Sequence, residues 1–314
     1  MSKVLVVIKS MGIGDLSILI SSIHAISKKI DKPVTVLAQE NTRASAILEH
    51  DPHVEEIIEL DKKEIKGFFG IIKKIKTKQF DQSYIYSDSI RLYLITKLAG
   101  IKENFHYKFF SKKGKNFFST AKEFTEKTLK TEIDPQSKIY CNDKDILEAK
   151  KKHNIKHNIK NIVCGVSASG PTKRWDINNY IRLFENLHSK FQCKFFLAGG
   201  LTDEDLVNQV MKSSIGKNCI SFCKMELSEA MPVIGASQYY IGNDTGWGHI
   251  SSGLGLKSLF LFMDSPPLAY GVYSKKINII CPDGLTLEST KHNSRAKEKI
   301  PIDKVLERAL EMIS

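Results

Sequence analysis

Ile241-Gly242-Asn243-Asp244-Thr245-Gly246-Trp247-Gly248-His249-Ile250 carries an apolar run over 239–241 through a turn of small residues into a stretch with helical apolar spacing. Ser167-Ala168-Ser169-Gly170-Pro171-Thr172-Lys173-Arg174-Trp175 does the same after the apolar run 161–166. A strand, a small-residue turn and a helix start leave free backbone N–H groups where a phosphate can sit. Asp-Thr-Gly alone is a weak signal. Two such turns in one half of the chain, bearing Thr172, Lys173, Thr245 and His249, predict a diphosphate held from two sides.

The same alternation extends outward from these turns. Strands are predicted at 161–166, 194–198, 219–222, 239–241 and 258–262, with helices at 177–191, 204–213, 228–236 and 248–254 between them and a last helix near 303–312. The first half repeats the pattern, with strands at 4–8, 34–38, 54–60 and 83–86 and helices at 16–30, 42–50, 64–77 and 90–99. Strands separated by helices imply right-handed crossovers and parallel sheets, the α/β class. Residues 104–120 break the rhythm and read as a loop, and the polar, repetitive 150–161 reads as a linker. A chain of 314 residues is comfortable for two domains. Ligands of open parallel sheets lie beyond the C-terminal strand ends, and every motif named here falls at such an end.

Four motifs in order resemble glycosyltransferase family 9, the ADP-heptose:lipopolysaccharide heptosyltransferases. They are Lys9-Ser10-Met11-Gly12-Ile13-Gly14-Asp15, Gly170-Pro171-Thr172-Lys173-Arg174-Trp175, Ala198-Gly199-Gly200 with Asp203, and Gly242-Asn243-Asp244-Thr245-Gly246 with His249. The resemblance implies two Rossmann-like domains facing a central cleft, the GT-B arrangement: an acceptor-binding domain over 1–155 and a nucleotide-sugar-binding domain over 156–314. It also implies that the last helix packs back on the first domain. The implied reaction is inverting transfer of a heptose from ADP-heptose to a lipopolysaccharide core acceptor, with no metal and no cofactor. Trp247, and Ser251-Ser252-Gly253 after it, depart from the family pattern and leave room for another nucleotide sugar or acceptor. A different class, a nucleotide-binding, membrane-associated module without activity, is separated from these by whether transfer disappears in Asp15→Asn.

Such a transfer needs a base for the acceptor hydroxyl and groups that stabilise the departing diphosphate. Asp15, after Gly12 and Gly14, reads either as the N-cap of a helix starting at Leu16 or as the base; the resemblance implies the base, with Asp88 next in rank. Gly12-Ile13-Gly14 is neither a dinucleotide fingerprint nor a P-loop. Lys173 is the expected diphosphate counter-ion, with Thr172 beside it; Arg174 is its substitute, and Trp175 an anchor. Thr245 and Gly246 offer N–H groups. Asp244 would repel phosphate, and so caps the helix or binds sugar hydroxyls. His249 is read as a diphosphate ligand or a satisfied core histidine, and Asp203 as a ribose ligand. Asp203-Glu204-Asp205 matches a metal-binding Asp-x-Asp in form, but its place at a helix start favours dipole complementarity.

Composition is ordinary for a globular chain, at 42% hydrophobic and 26% charged residues. The net charge of +12 is uneven: residues 1–160 carry 30 Lys/Arg against 20 Asp/Glu, and residues 161–314 carry 17 against 15. Lys73, Lys74, Lys76 and Lys78 lie in one dense cluster, with Lys108, Lys112, Lys113 and Lys115 in another. They read as solvated faces or as a surface for an anionic glycolipid acceptor and the inner face of the cytoplasmic membrane. Nucleic acid is not expected: no RNA-binding aromatic, helix-turn-helix or finger-type signature accompanies the lysines, and Phe68, Phe69 and Phe80, which interleave the first cluster, read as the apolar side of an amphipathic helix. The run 4–8 is too short for a signal peptide and no run approaches the ~20 apolar residues of a membrane span. Six cysteines without paired or metal spacing indicate a reducing compartment, and the expected location is cytoplasmic, peripheral to the membrane.

Overall fold

The structure of the protein is a computed structural model that describes residues 3–9, 12–108, 116–294, 296 and 299–314. It divides into two compact units, Met1–Tyr140 and Cys141–Ser314.

The N-terminal unit runs β1 (Val4–Ile8), α1 (Ile13–Ile30), β2 (Val34–Gln39), α2 (Ala44–Ile47), β3 (Val54–Leu60), α3 (Phe68–Lys76), β4 (Gln82–Tyr86), α4 (Ile90–Leu98), β5 (Glu103–His106) and α5 (Phe117–Leu129). Its five strands are parallel, in the order β3-β2-β1-β4-β5. Every residue of β1 is buried, as a central parallel strand covered on both faces requires. Helices α3 and α4 pack together on one face, where Ile71, Ile75, Leu92 and Ile95 meet Leu5, Val7 and Ile85 of the sheet. Helix α5 packs on α1.

The C-terminal unit runs α6 (Asp143–Lys152), β6 (Lys160–Gly165), α7 (Ile177–Lys190), β7 (Cys193–Leu197), α8 (Glu204–Met211), β8 (Cys219–Ser221), α9 (Leu227–Gly235), β9 (Tyr239–Asn243), α10 (Gly246–Gly253), β10 (Lys257–Leu261), α11 (Pro267–Tyr270), β11 (Ile277–Ile280) and α12 (Ile302–Ile313). Its sheet order is β11-β10-β9-β6-β7-β8, again all parallel. Helix α7 shows the underlying code. Asp176 caps its start by accepting from the Asn178 N–H, and Ile177, Tyr180, Leu183, Phe184 and Leu187 form one buried stripe.

The expected α/β class with two Rossmann-like domains is what the chain forms. Three expectations are corrected. The division falls after Tyr140 and not at 155, because α6 packs against α9, with Ile146 close to Gly235. The last helix lies on α7 and β10 of its own unit. Burial of its Val305 and Ile313, at about 1.5–3 kcal/mol each, fixes it there. Within 104–120, residues up to His106 are strand and those from Phe117 are helix, while 109–115, with Lys112, Lys113 and Lys115, lie outside the described residues. The basic helix read over 64–77 is broken at Gly67, which ends a short 3-10 turn and caps α3. All six cysteines are free, and Cys164, Cys193, Cys219 and Cys223 are buried as small apolar side chains. Among the described residues no helix is long and apolar enough to cross a membrane.

Candidate active site

In the C-terminal sheet the chain leaves β6 towards β7 on one side and returns as β9 on the other. The C-terminal ends of β6 and β9 are therefore the switch point, where a doubly wound sheet opens a crevice for ligand. Gly165 and Gly242 face each other there in register. A Cβ on Gly242 would lie 2.5 Å from the Gly165 backbone, so the close approach demands glycine.

Asn243, fully buried at the end of β9, ties the two motif turns together. Its Nδ2 donates to the carbonyls of Val166 (3.1 Å) and Ser167 (3.2 Å), and its Oδ1 accepts from the Trp175 N–H at 3.1 Å. Trp175 is the anchor it was expected to be. The ring is buried on Tyr180, and its Nε1–H donates to the Ile300 carbonyl at 2.9 Å. Between these fixed ends the loop turns through Pro171–Lys173, which presents Lys173 half-exposed.

The neighbours of Lys173 are held internally. Thr172 donates to the buried Asp264 at 2.6 Å. Arg174 donates twice to the Ala168 carbonyl and pairs with Asp203 at 3.2 Å. Asp203 also accepts from the Gly200 N–H at 3.0 Å, so both its oxygens already brace the turn. Arg174, read as able to share or replace the role of Lys173, and Asp203, read as a ribose ligand, thus each have a partner within the protein. Among the described residues, no acid forms an ion pair with Lys173.

Asp244 and His249 sit across the first turn of α10. His249 is buried, with Nε2 3.1 Å from Asp244 Oδ1 and Nδ1 2.8 Å from the Tyr273 hydroxyl. Both ring nitrogens therefore have partners within the protein, as in the core-histidine reading. Ser265 donates to the other oxygen of Asp244 at 2.6 Å. Burial pushes the Asp244 carboxyl up, but the hydrogen bond and charge of His249, the Ser265 hydroxyl and the charge of Lys173 together hold it below the usual carboxylate value. Asp244 is not the N-cap. Thr245 occupies that position without capping through its side chain, so the first N–H groups of α10, at Gly246 and Trp247, face the turn open to an anion.

The N-terminal sheet repeats the logic with its switch between β1 and β4. Asp15 follows β1 and Asp88 follows β4, so the two carboxylates considered as base lie at the ends of adjacent strands. Asp15 is not an N-cap. Gly12 holds that position, and Asp15 stands half-buried in the first turn, where a carboxylate complements the helix dipole. Ser10 and Met11 of the same motif lie outside the described residues. Arg91, in the first turn of α4, keeps a buried Nη2 without a hydrogen-bond partner among the described residues. Of the basic cluster, Lys74 pairs with Glu64 and Lys78 with Glu56, leaving Lys73 and Lys76 as the exposed members without an ion pair among the described residues.

The sequence profile of glycosyltransferase family 9 (heptosyltransferase) matches residues 68–300. The chain belongs to glycosyltransferase family 9. As a member it is a glycosyl-transferring enzyme. It is 22% identical to lipopolysaccharide heptosyltransferase 1 of Campylobacter coli, over 84% of this chain and 85% of that one. Its fold is that of the ADP-heptose lps heptosyltransferase II of E. coli (TM-score 0.78, 18% identity, 99% and 98% of the two chains covered). A family 9 enzyme of Veillonella parvula DSM 2008 superposes with a TM-score of 0.80 at 17% identity, covering 99% and 97% of the two chains.

For a family 9 site, two features escaped the sequence. Asn243 was visible inside its motif but gave no sign of its bracing role. Asp264, Ser265 and Tyr273 come from the segment after β10, where only Pro266-Pro267 marks a loop. Trp247, the departure from the family pattern, stands half-buried at the mouth of α10 with its ring 5.9 Å from that of Phe222, at the end of β8.

Proposed function

We infer that the chain transfers a heptose from ADP-heptose to a lipopolysaccharide core acceptor, with inversion at the anomeric carbon and no metal. The observation that carries this reading is the charge arrangement of the C-terminal switch point. Lys173, without an acidic partner among the described residues, and the open first turn of α10 are set in one frame by Asn243. A cation and helix N–H groups stabilise a diphosphate most when it departs with an extra negative charge. Asp244, fixed as a carboxylate by His249 and Ser265, would repel phosphate and so faces the sugar hydroxyls or orients the turn.

In the proposed step Asp15 takes the proton of the acceptor hydroxyl. The acceptor oxygen bonds to the anomeric carbon as the bond to the diphosphate oxygen breaks, and ADP leaves against Lys173 and the Thr245–Gly246 turn. One displacement inverts the centre. The acceptor in this reading is an anionic glycolipid at the inner face of the cytoplasmic membrane, met by the basic N-terminal half. The name of the Campylobacter coli relative and the shared fold with the E. coli enzyme support the choice of heptose and of acceptor.

Purified protein is tested with ADP-heptose and a water-soluble truncated core acceptor, in the presence of EDTA, and the anomer formed is assigned by NMR. Inverted heptosylated product that disappears in Asp15→Asn is expected. Transfer from UDP- or GDP-hexoses but not from ADP-heptose would replace the donor assignment, and loss of transfer in EDTA would remove metal independence.

A further inference from the structure

Helices α3 and α4 bury one side each against the N-terminal sheet, and their outer sides are unusual. On α3, Phe69, Lys73 and Lys76 follow at i, i+4 and i+7, and Phe69 is 82% exposed. On α4, Ile90, Leu94 and Leu98 follow at i, i+4 and i+8, with exposures of 46%, 42% and 57%, and Lys97 stands beside them. The helices pack side by side, so these stripes lie on one surface. Most of the large, exposed apolar side chains of the described residues stand here, although α3 and α4 make up a small part of the chain. Neither helix contains an acidic residue. Solvated helix faces place charged residues where α4 places leucine.

The geometry points to this α3–α4 surface as the membrane-docking face of the enzyme, with Phe69 and the α4 leucines entering the interface of an anionic bilayer and Lys73, Lys76 and Lys97 meeting its headgroups. Apolar side chains ringed by lysine are the pattern of helices that lie in a membrane interface, where apolar burial and attraction to anionic lipid add. An acidic protein partner would satisfy the lysines but has no use for a phenylalanine so far out in water. The assignment differs from a purely electrostatic one in resting on Phe69 and the leucines, and it uses Lys73 and Lys76 because Lys74 and Lys78 are held by Glu64 and Glu56. It rests on the reading of the acceptor as a membrane glycolipid. Vesicle binding is measured without donor or acceptor, however, so the two readings fail separately.

The full chain is sedimented with sucrose-loaded vesicles of phosphatidylcholine containing phosphatidylglycerol, at low and at physiological salt. The wild type is expected to bind and to release as salt rises. Phe69→Ser with Leu94→Ser and Leu98→Ser should lower the partition coefficient at least about tenfold at both salt concentrations. Because these side chains are exposed, thermal unfolding and transfer to a soluble acceptor should hold, which shows that the variant is folded. Lys73→Gln with Lys76→Gln and Lys97→Gln should cost about fivefold per lysine at low salt and flatten the salt dependence. Absence of wild-type binding to anionic vesicles overturns the assignment, as does unchanged binding by the serine variant. A wild-type dimer in sedimentation equilibrium that the serine substitutions dissociate, with vesicle binding unaffected, would give the face to a second copy of the chain instead.

Discussion

Asn243→Ala tests whether the two motif turns are one device. The side chain is fully buried and makes three hydrogen bonds, donated to Val166 and Ser167 and accepted from Trp175. At about 1 kcal/mol net per bond, with the upper range applying because the abandoned N–H and carbonyls stay buried, the loss is about 3–4 kcal/mol. For a unit of this size a kilocalorie moves Tm by about 2–4 °C, so calorimetry should show a fall of at least ~6 °C. Function should fall further than stability implies, since the freed loop carries Lys173. The Kd for ADP, measured by titration calorimetry well below the new Tm, should rise at least about tenfold, the equivalent of one charge-assisted contact. Asn243→Asp sharpens the test. It keeps the acceptor for the Trp175 N–H but turns a carboxylate oxygen towards two carbonyls, so its damage should exceed that of alanine at pH 7. A Tm within about 2 °C of wild type and an unchanged Kd in Asn243→Ala would refute the reasoning, because both turns would then hold their shape without the bridge.

Lys173→Ala should weaken ADP binding and lower kcat together by a combined ~1.5–3 kcal/mol, since its charge acts in ground and transition states; equal Kd and kcat in steady-state kinetics would turn the loop away from the phosphates. Asp15→Asn should cost ~10²–10⁴ in the chemical step by single-turnover assay. The helix start should be kept, because Gly12 and not Asp15 is the N-cap, and circular dichroism should show the variant folded. The depressed Asp244 carboxyl contributes stability that is present above the ordinary carboxylate value, about pH 4, and is lost as pH falls through its lower folded value. Acid unfolding of the wild type should therefore steepen below that pH, and Asp244→Asn should show a flatter acid limb in thermal melts from pH 3 to 7. Trp247→Phe should abolish fluorescence quenching by ADP, because the other tryptophan, Trp175, is only 2% exposed; quenching that persists would place the nucleoside away from α10.

Most strands and helices were legible because parallel strands buried on both faces read as continuous apolar runs, and because α7 and α12 carry their stripes at helical spacing. Helix α5 was not. Its buried residues Ala121, Thr125 and Leu129 are small or polar, and Thr125 packs through hydroxyls, bonding Ser22 and Tyr86, so its inner face does not look apolar. Strand β5 has no buried residue, with Glu103 exposed and Asn104, Phe105 and His106 half-buried at a sheet edge. At the site, the residue types were legible and their division of labour was not. Asp203, Asp244 and His249 are polar groups beside an expected phosphate, and nothing along the chain says that each already has partners within the protein. Those partners, Arg174, Ser265 and Tyr273, are set by which strand lies next to which.

That division has a consequence for catalysis. A leaving diphosphate is stabilised best by groups that need not reorganise when its charge grows. In the proposed reaction Lys173, a flexible side chain, would by itself have to be ordered at each turnover. Its loop removes much of that cost. Trp175 and Asn243 clamp one end, and Thr172 on Asp264 and Arg174 on Asp203 fix the residues either side of the lysine. On the facing turn the Tyr273–His249–Asp244–Ser265 chain fixes α10, whose N–H groups need no ordering at all. The polar residues of the motifs thus hold mostly one another. Substituting the bracing residues should then cost kcat through Lys173 and α10, so double variants pairing Asn243→Ala with Lys173→Ala should lose much less than the product of the single losses.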